Sequence, residues 1–309
     1  MILSPRIVKN SAAIAVSLLF LGWLFGHQAM SWAGIYEPLL ALPAAVWLMV
    51  VIGLLSTYVL RGWRVAYEFR DYEKLTLLRA IQVVMWHNAT LNLLPFRSGE
   101  VVFPLLLRQV ADIPVLNSVT SLIYLRFQDA CTVLMIGIAF WPNIDLSLRL
   151  LLSLLLVVAA LLFQQWAKST ASWQDSSWLL KRKLAAWREA LARGNQRAGL
   201  SWLLTASNWI IKISIQAALY GYLLHLSFSM GVLSTLSTEL AAFLPIQGLA
   251  GIGTFEASSA MVMRAEGVPW MDALQGAAQV HLMMLASSLL WAFVSMCALP
   301  LIKQKKVSV

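Results

Sequence analysis

Long apolar runs without a single charged side chain recur along this chain and limit what it can fold into. Residues 38–60 form one such run, and residues 150–166 form another. A helix needs roughly 20 apolar residues to cross the hydrocarbon core of a bilayer. Only 12% of the residues are charged and 60% are hydrophobic, which lies outside the composition of soluble globular domains. The sequence therefore predicts an all-α polytopic membrane protein, because helices satisfy their own backbone hydrogen bonds in lipid.

The apolar runs are long enough for about six full transmembrane helices. We place these spans near residues 7–26, 39–60, 118–140, 148–166, 200–226 and 271–300. Two further apolar stretches, 80–108 and 230–264, remain between the spans.

Lys and Arg residues predict the orientation, because they are concentrated in the cytoplasmic loops of membrane proteins. They cluster in the N-terminus, in residues 61–79 and 168–199, and in the tail 301–309. Residues 27–38 and 141–147 contain neither Lys nor Arg. We therefore expect both termini in the cytoplasm and the latter two loops outside.

This orientation requires each remaining apolar stretch to return to the side from which it entered the membrane. Each is thus predicted to form a re-entrant helical hairpin, so that two halves of the chain repeat with inverted orientation. We expect a single membrane domain over residues 1–309. It is divided into the first half of the repeat (1–140), a connecting span (141–167), the basic loop (168–199), the rest of the second half (200–300) and the tail (301–309).

Both predicted hairpins contain proline and glycine at corresponding places. Residues 94–100 read Leu-Pro-Phe-Arg-Ser-Gly-Glu, and residues 244–248 read Leu-Pro-Ile-Gln-Gly. Interrupted apolar segments in corresponding positions of two halves indicate a transporter site near the bilayer midplane. The alternative is that proline and glycine only kink ordinary spans.

Charged side chains inside the hydrocarbon cost roughly 2.5 to 3.5 kcal/mol each on insertion scales, so each one requires a reason. Arg97 and Glu100 flank the first break, and Glu256 follows the second. Arg126 and Asp129 lie on one face of the third span, because residues three apart are neighbours on a helix. These two residues form either part of a binding site or a structural ion pair that neutralises itself.

Glycines around the second break predict a site for an anion. Gly248, Gly251 and Gly253 allow close approach and unusual backbone dihedrals. A half-helix that starts near Thr254 would present free N–H groups and the positive end of its dipole. Together with Arg97, this arrangement suits the phosphate of a lipid head group.

The two glutamates near the breaks have several interpretations. Glu100 and Glu256 either cap a half-helix, bind a proton or contact a cationic head group. Lys212, in the fifth span, is a counter-ion of Glu239 or of Glu256, or it lines a cavity. The candidate substrate-binding residues are Arg97, Ser98, Gly99, Glu100, Arg126, Asp129, Gly248, Gly251, Gly253 and Glu256.

The sequence contains no pattern typical of catalysis or of cofactor binding. No two histidines have the spacing of a metal motif, and there is no nucleophile motif or dinucleotide fingerprint. We therefore expect no catalytic residue, no metal, no cofactor and no enzymatic activity. The net charge of +9 lies in loops between apolar spans, so it indicates contact with anionic lipid and not with nucleic acid.

These motifs resemble those of the lysylphosphatidylglycerol synthase transmembrane-domain family, whose members are also described as flippase-like integral membrane proteins. Residues 94–100 are similar to the family's Leu-Pro-x-Arg-x-Gly-Glu, residues 126–129 to its Arg-x-x-Asp, and residues 251–256 to its Gly-x-Gly-x-x-Glu. Leu125 and Phe103 stand where the family often has a charged residue. The resemblance extends over nearly the whole chain.

The resemblance implies a flippase or transporter of a phospholipid or lipid-linked substrate in the bacterial cytoplasmic (inner) membrane, with the anionic head group near the midplane between the two hairpins. This sequence lacks the soluble synthase domain of some relatives, so lipid lysylation is not expected. One alternative is a membrane-embedded enzyme with Glu100 or Glu256 as general base. Another is an accessory subunit of an envelope-lipid enzyme. The expected partners are membrane lipid and an envelope-biosynthesis protein, and no oligomeric state is predicted.

Overall fold

The computed structural model describes residues 32–94, 99–168, 185, 198–242 and 249–298. Within these ranges the chain is helical and contains no β-strand, so the predicted all-α fold is confirmed. The predicted span 7–26, the tail 301–309 and most of the basic loop lie outside the described residues.

The helices begin and end close to the predicted apolar stretches, as expected where hydrophobic length determines them. They are α1 (Trp32–Leu40), α2 (Ala44–Glu68), α3 (Leu77–Leu93), α4 (Val102–Ala111), α5 (Val115–Phe140), α6 (Leu146–Lys168), α7 (Ala198–Leu224), α8 (Phe228–Ala241), α9 (Thr254–Ala265) and α10 (Trp270–Ala298). A short 3₁₀ turn, Leu249–Gly251, precedes α9.

Four helices in the described part of the chain, α2, α5, α6 and α10, are long and apolar enough to cross a membrane. They coincide with four of the predicted spans. A fifth prediction, 200–226, coincides with α7, which meets the same requirement together with α8 across a bend of 118°. The chain is therefore a multi-pass membrane protein. The number of six spans and the re-entrant course of the hairpins stay predictions.

Two predicted loop boundaries are wrong. Residues 32–38, expected in an external loop, belong to α1, and residues 61–68, expected in a cytoplasmic loop, belong to α2. Arg64 and Glu68 suggested a loop because they are charged, but both residues are only 4% exposed. Hydrogen-bonding partners inside the protein compensate these charges, so the helix continues past them.

The chain divides into two compact units, each built from separated segments of sequence. Unit 1 comprises Met1–Tyr58, Val84–Val102 and Ile211–Val309, and unit 2 comprises Val59–Val83 and Phe103–Ile210. Both predicted breaks belong to unit 1, whereas the motif at residues 126–129 belongs to unit 2. The predicted division into repeat halves stays a prediction.

Helices α8, α9 and α10 form the packed centre of unit 1, since α9 packs against both of the others. A β-carbon added at Gly231 in α8 would lie 2.7 Å from the backbone of Ala217 in α7. Small residues allow such close backbone approach in membrane helices. Helix α1 packs against α10, where Gln275 and Gln279 donate to the carbonyl oxygen of Gly34 at 2.6 and 2.9 Å.

Candidate functional site

Residues 244–248, the second predicted break, lie outside the described residues, and the residues that follow them leave the helical conformation. Ala250, Gly251 and Gly253 have positive φ angles of 56°, 79° and 92°. Glycine adopts such angles at little cost, whereas most other residues are strained there. Irregular backbone at Gly251 and Gly253 is therefore confirmed, and α9 begins immediately afterwards at Thr254. Substrate binding at these glycines stays a prediction.

Glu256 closes the N-terminus of α9. Its Oε2 atom accepts a hydrogen bond from the backbone N–H of Gly253 at 2.7 Å, and the residue is 5% exposed. A carboxylate in the first turn also interacts favourably with the helix dipole. The capping interpretation of Glu256 is therefore confirmed.

His281, on α10, contacts the other carboxylate oxygen. Its Nδ1 atom lies 2.7 Å from Oε1 of Glu256, and its ring stacks on Phe255 with centroids 4.2 Å apart. A β-carbon added at Gly251 would lie 3.7 Å from Cε1 and Nε2 of His281. The imidazole is therefore held between α9 and the break, with its Nε2 edge towards the irregular backbone.

The first turn of α9 offers further polar groups to the break. The backbone N–H groups of Thr254, Phe255 and Glu256 donate to no group in the described part of the chain, as is usual for the first turn of a helix. The Thr254 hydroxyl donates to the carbonyl oxygen of Gly251 at 2.9 Å. Free N–H groups at the positive end of a helix dipole can bind an anion.

Two further polar contacts join α7 to α9 and to α8. Tyr220 and Ser259 share a hydrogen bond of 2.7 Å between their hydroxyl groups. Lys212 pairs with Glu239, which is one of its two predicted counter-ions. Lys212 therefore forms part of the contact between α7 and α8.

The first predicted break is described only from Gly99 onwards. A β-carbon added at Gly99 would lie 2.7 Å from the backbone of Thr90 and Leu91 in α3, so the chain passes directly over that helix. Oε2 of Glu100 lies 3.4 Å from Nε2 of His87. Arg97, Ser98 and Gly248 lie outside the described residues, so the predicted contact of Arg97 with an anion stays a prediction.

Unit 2 holds the predicted pair Arg126 and Asp129 in a different setting. The strongest partner of Asp129 is Arg64, whose Nη1 donates to Oδ1 at 2.7 Å, while Trp209 donates to the same oxygen at 3.0 Å. Arg126 is more distant, with Nη1 3.4 Å from Oδ2. The predicted pair is therefore a minor part of a larger network.

This network extends over three helices of unit 2. Arg64 also donates to Oε1 of Gln128 at 3.2 Å, and Ser201 donates to that oxygen at 2.7 Å. Ser121 donates to Glu68 at 2.9 Å. Sequence reasoning missed Arg64 and Glu68, although their separation of four residues at the end of an apolar run indicates one face of a continuing helix. The network joins α2, α5 and α7 by polar contacts.

Unit 1 also contains a cavity away from the break. It has a volume of about 490 Å³ and is lined by residues that include His225, Glu266 and Asp272. None of the candidate site residues lines this cavity, so the cavity does not bear on their function. Among the described residues, no group of three or more His, Cys, Asp or Glu side chains could hold a metal ion.

The sequence matches the profile of a known family, the lysylphosphatidylglycerol synthase TM region, over residues 10–292. This range includes both breaks and the Arg-x-x-Asp motif. No curated protein and no solved structure gives a significant match.

Proposed function

Because the chain belongs to the lysylphosphatidylglycerol synthase TM region family, we propose that it moves a phospholipid or lipid-linked substrate across the cytoplasmic membrane. The family and the long apolar helices already make it a multi-pass membrane protein linked to lipid metabolism. Transport, the bacterial inner membrane and cytoplasmic termini are parts of this proposal.

The observation that carries the proposal is a broken helical segment with a buried ionisable pair beside it. Glu256 and His281 have side chains that are 6% and 7% exposed, and the irregular backbone at Gly251 and Gly253 lies next to them. Broken helices near ionisable side chains are typical of transporter sites, since both are costly in lipid and persist where a substrate passes.

The chemistry of the break suits an anionic head group. The free N–H groups of Thr254, Phe255 and Glu256 supply donors, and the dipole of α9 supplies a partial positive charge. Arg97 would add a bidentate guanidinium, as the sequence predicts. Arg126 and Asp129 contact partners within unit 2, which supports a structural role for them, and substrate binding by these two residues stays a prediction.

A liposome assay tests transport directly. Purified protein in liposomes should expose a head-group-labelled lipid of the inner leaflet to a quencher outside, and Arg97→Ala should reduce the rate at least tenfold. Arg79→Ala is the matched control, because Arg79 is exposed and donates to the carbonyl oxygen of Lys74 in unit 2. Equal rates for liposomes with and without the wild-type protein would contradict transport.

The enzymatic alternative predicts a chemically changed lipid. Both oxygens of Glu256 are already occupied, by Gly253 N–H and by His281, which favours a positioning role over that of a general base. Mass spectrometry of the lipids after incubation checks this. A new lipid product that forms only when Glu256 is present would favour the enzymatic alternative over transport. An accessory subunit, in contrast, would tolerate every substitution at the two breaks.

A further inference from the structure

His281 is the polar side chain that the sequence motifs did not assign to the site. Its side chain is only 7% exposed, and its Nδ1 atom forms a hydrogen bond with Glu256. Its Nε2 atom has no hydrogen-bond partner among the described residues. That atom faces Gly251, where a β-carbon would stand 3.7 Å from it.

We propose that Nε2 of His281 binds the phosphate of the transported head group at the second break, and that Glu256 is the residue that positions the ring. This inference rests on the proposed transport function and names the side chain that contacts the substrate. The free N–H groups at the start of α9 and Nε2 then bind different oxygens of one phosphate.

The contact with Glu256 decides which ring nitrogen is available. The carboxylate accepts from Nδ1–H, so Nε2 is left for the substrate, as in the carboxylate–histidine pairs that orient a ligand-binding imidazole. A phosphate accepts a hydrogen bond only from the protonated Nε2, so head-group binding is linked to the uptake of one proton from water.

From α9 the imidazole contacts the carboxylate of Glu256 and the ring of Phe255. On α7 and α8, Tyr220 shares a hydrogen bond with Ser259, and Glu239 pairs with Lys212.

Titration calorimetry in two buffers of different ionisation enthalpy measures this proton. The probe is dioctanoyl phosphatidylglycerol added to the full-length protein in detergent. We expect a net uptake of up to about one proton per bound lipid. His281→Asn should lower the affinity about tenfold or more and abolish the uptake.

Glu256→Gln separates a positioning role from a purely structural one. It should retain lipid binding but change the proton uptake, because the carboxylate no longer contacts Nδ1 of His281. Tyr220→Phe is the matched control, since it removes a nearby hydrogen bond outside the site and should leave the uptake unchanged. His281→Gln replaces His281→Asn if the latter does not elute as a single species.

Each outcome decides the proposal. No proton uptake by the wild-type protein, or unchanged affinity and uptake in both His281 variants, would overturn it. Glycerol 3-phosphate as a second probe distinguishes a soluble phosphate from a lipid, because equal binding of both would assign the site to free phosphate esters. Proton-linked lipid binding without any movement between leaflets would retain this site and refute transport.

Discussion

Two buried carboxylates, Asp129 in unit 2 and Glu256 in unit 1, illustrate how differently a membrane protein uses an acidic side chain. Asp129 meets a permanent cation, Arg64, and an indole N–H from Trp209. Glu256 meets a backbone N–H and the imidazole of His281, whose charge depends on protonation. The first arrangement pairs the carboxylate with an arginine, whereas the second joins it to a histidine beside an irregular backbone.

The largest expected effect is the loss of stability when the ion pair between Arg64 and Asp129 is broken. Arg64→Leu leaves Asp129 buried without its main cation and should lower the free energy of unfolding by about 3–5 kcal/mol. Unfolding of the purified protein in mixed detergent micelles measures this. The double variant Arg64→Leu with Asp129→Leu should recover most of the loss, because the buried carboxylate is removed together with its main cation.

Lys74→Ala is the control for that prediction. Lys74 pairs with Asp112 at the surface, where the two side chains are 65% and 74% exposed, so its loss should cost at most about 1 kcal/mol. Similar losses for Arg64→Leu and Lys74→Ala would mean that burial does not distinguish the two pairs.

Glu256 depends on its backbone partner, and Gly253→Ala tests this dependence. Alanine at a φ of 92° is strained by about 2 kcal/mol, so the N–H of residue 253 would move away from the carboxylate. We expect a stability loss of about this size together with slower lipid movement. Gly267→Ala is a matched control, since Gly267 also has a positive φ, 93°, and a β-carbon there would meet nothing within 4 Å. Loss of transport in both variants would show that strain alone is responsible.

The smallest expected effect on stability is at Tyr220 in α7. Tyr220→Phe removes the hydrogen bond to Ser259 and should lower the free energy of unfolding by about 1 kcal/mol. Lipid movement should stay at the wild-type rate. A transport defect in this variant would extend the functional site from α9 into α7.

The sequence predicted irregular backbone at Gly251 and Gly253 because glycine is visible without a structure, and capping was one of its three interpretations of Glu256 because helix starts have local signals. It missed Arg64 and Glu68 because charge is a strong loop signal when the partners, on α5, are far away in sequence. It also left His281 without a role, since its contact with Glu256 joins residues 25 positions apart through the packing of α9 on α10. Pairings of this kind depend on helix packing, which local sequence does not encode.

The contact between Gly231 and Ala217 has a mechanical consequence. Their backbones touch where a β-carbon would stand 2.7 Å from its neighbour, close to the 118° elbow between α7 and α8. Opening this elbow would pull apart two surfaces that fit without any side chain between them. The close contact therefore resists any change of the angle between α8 and the part of α7 that belongs to unit 1.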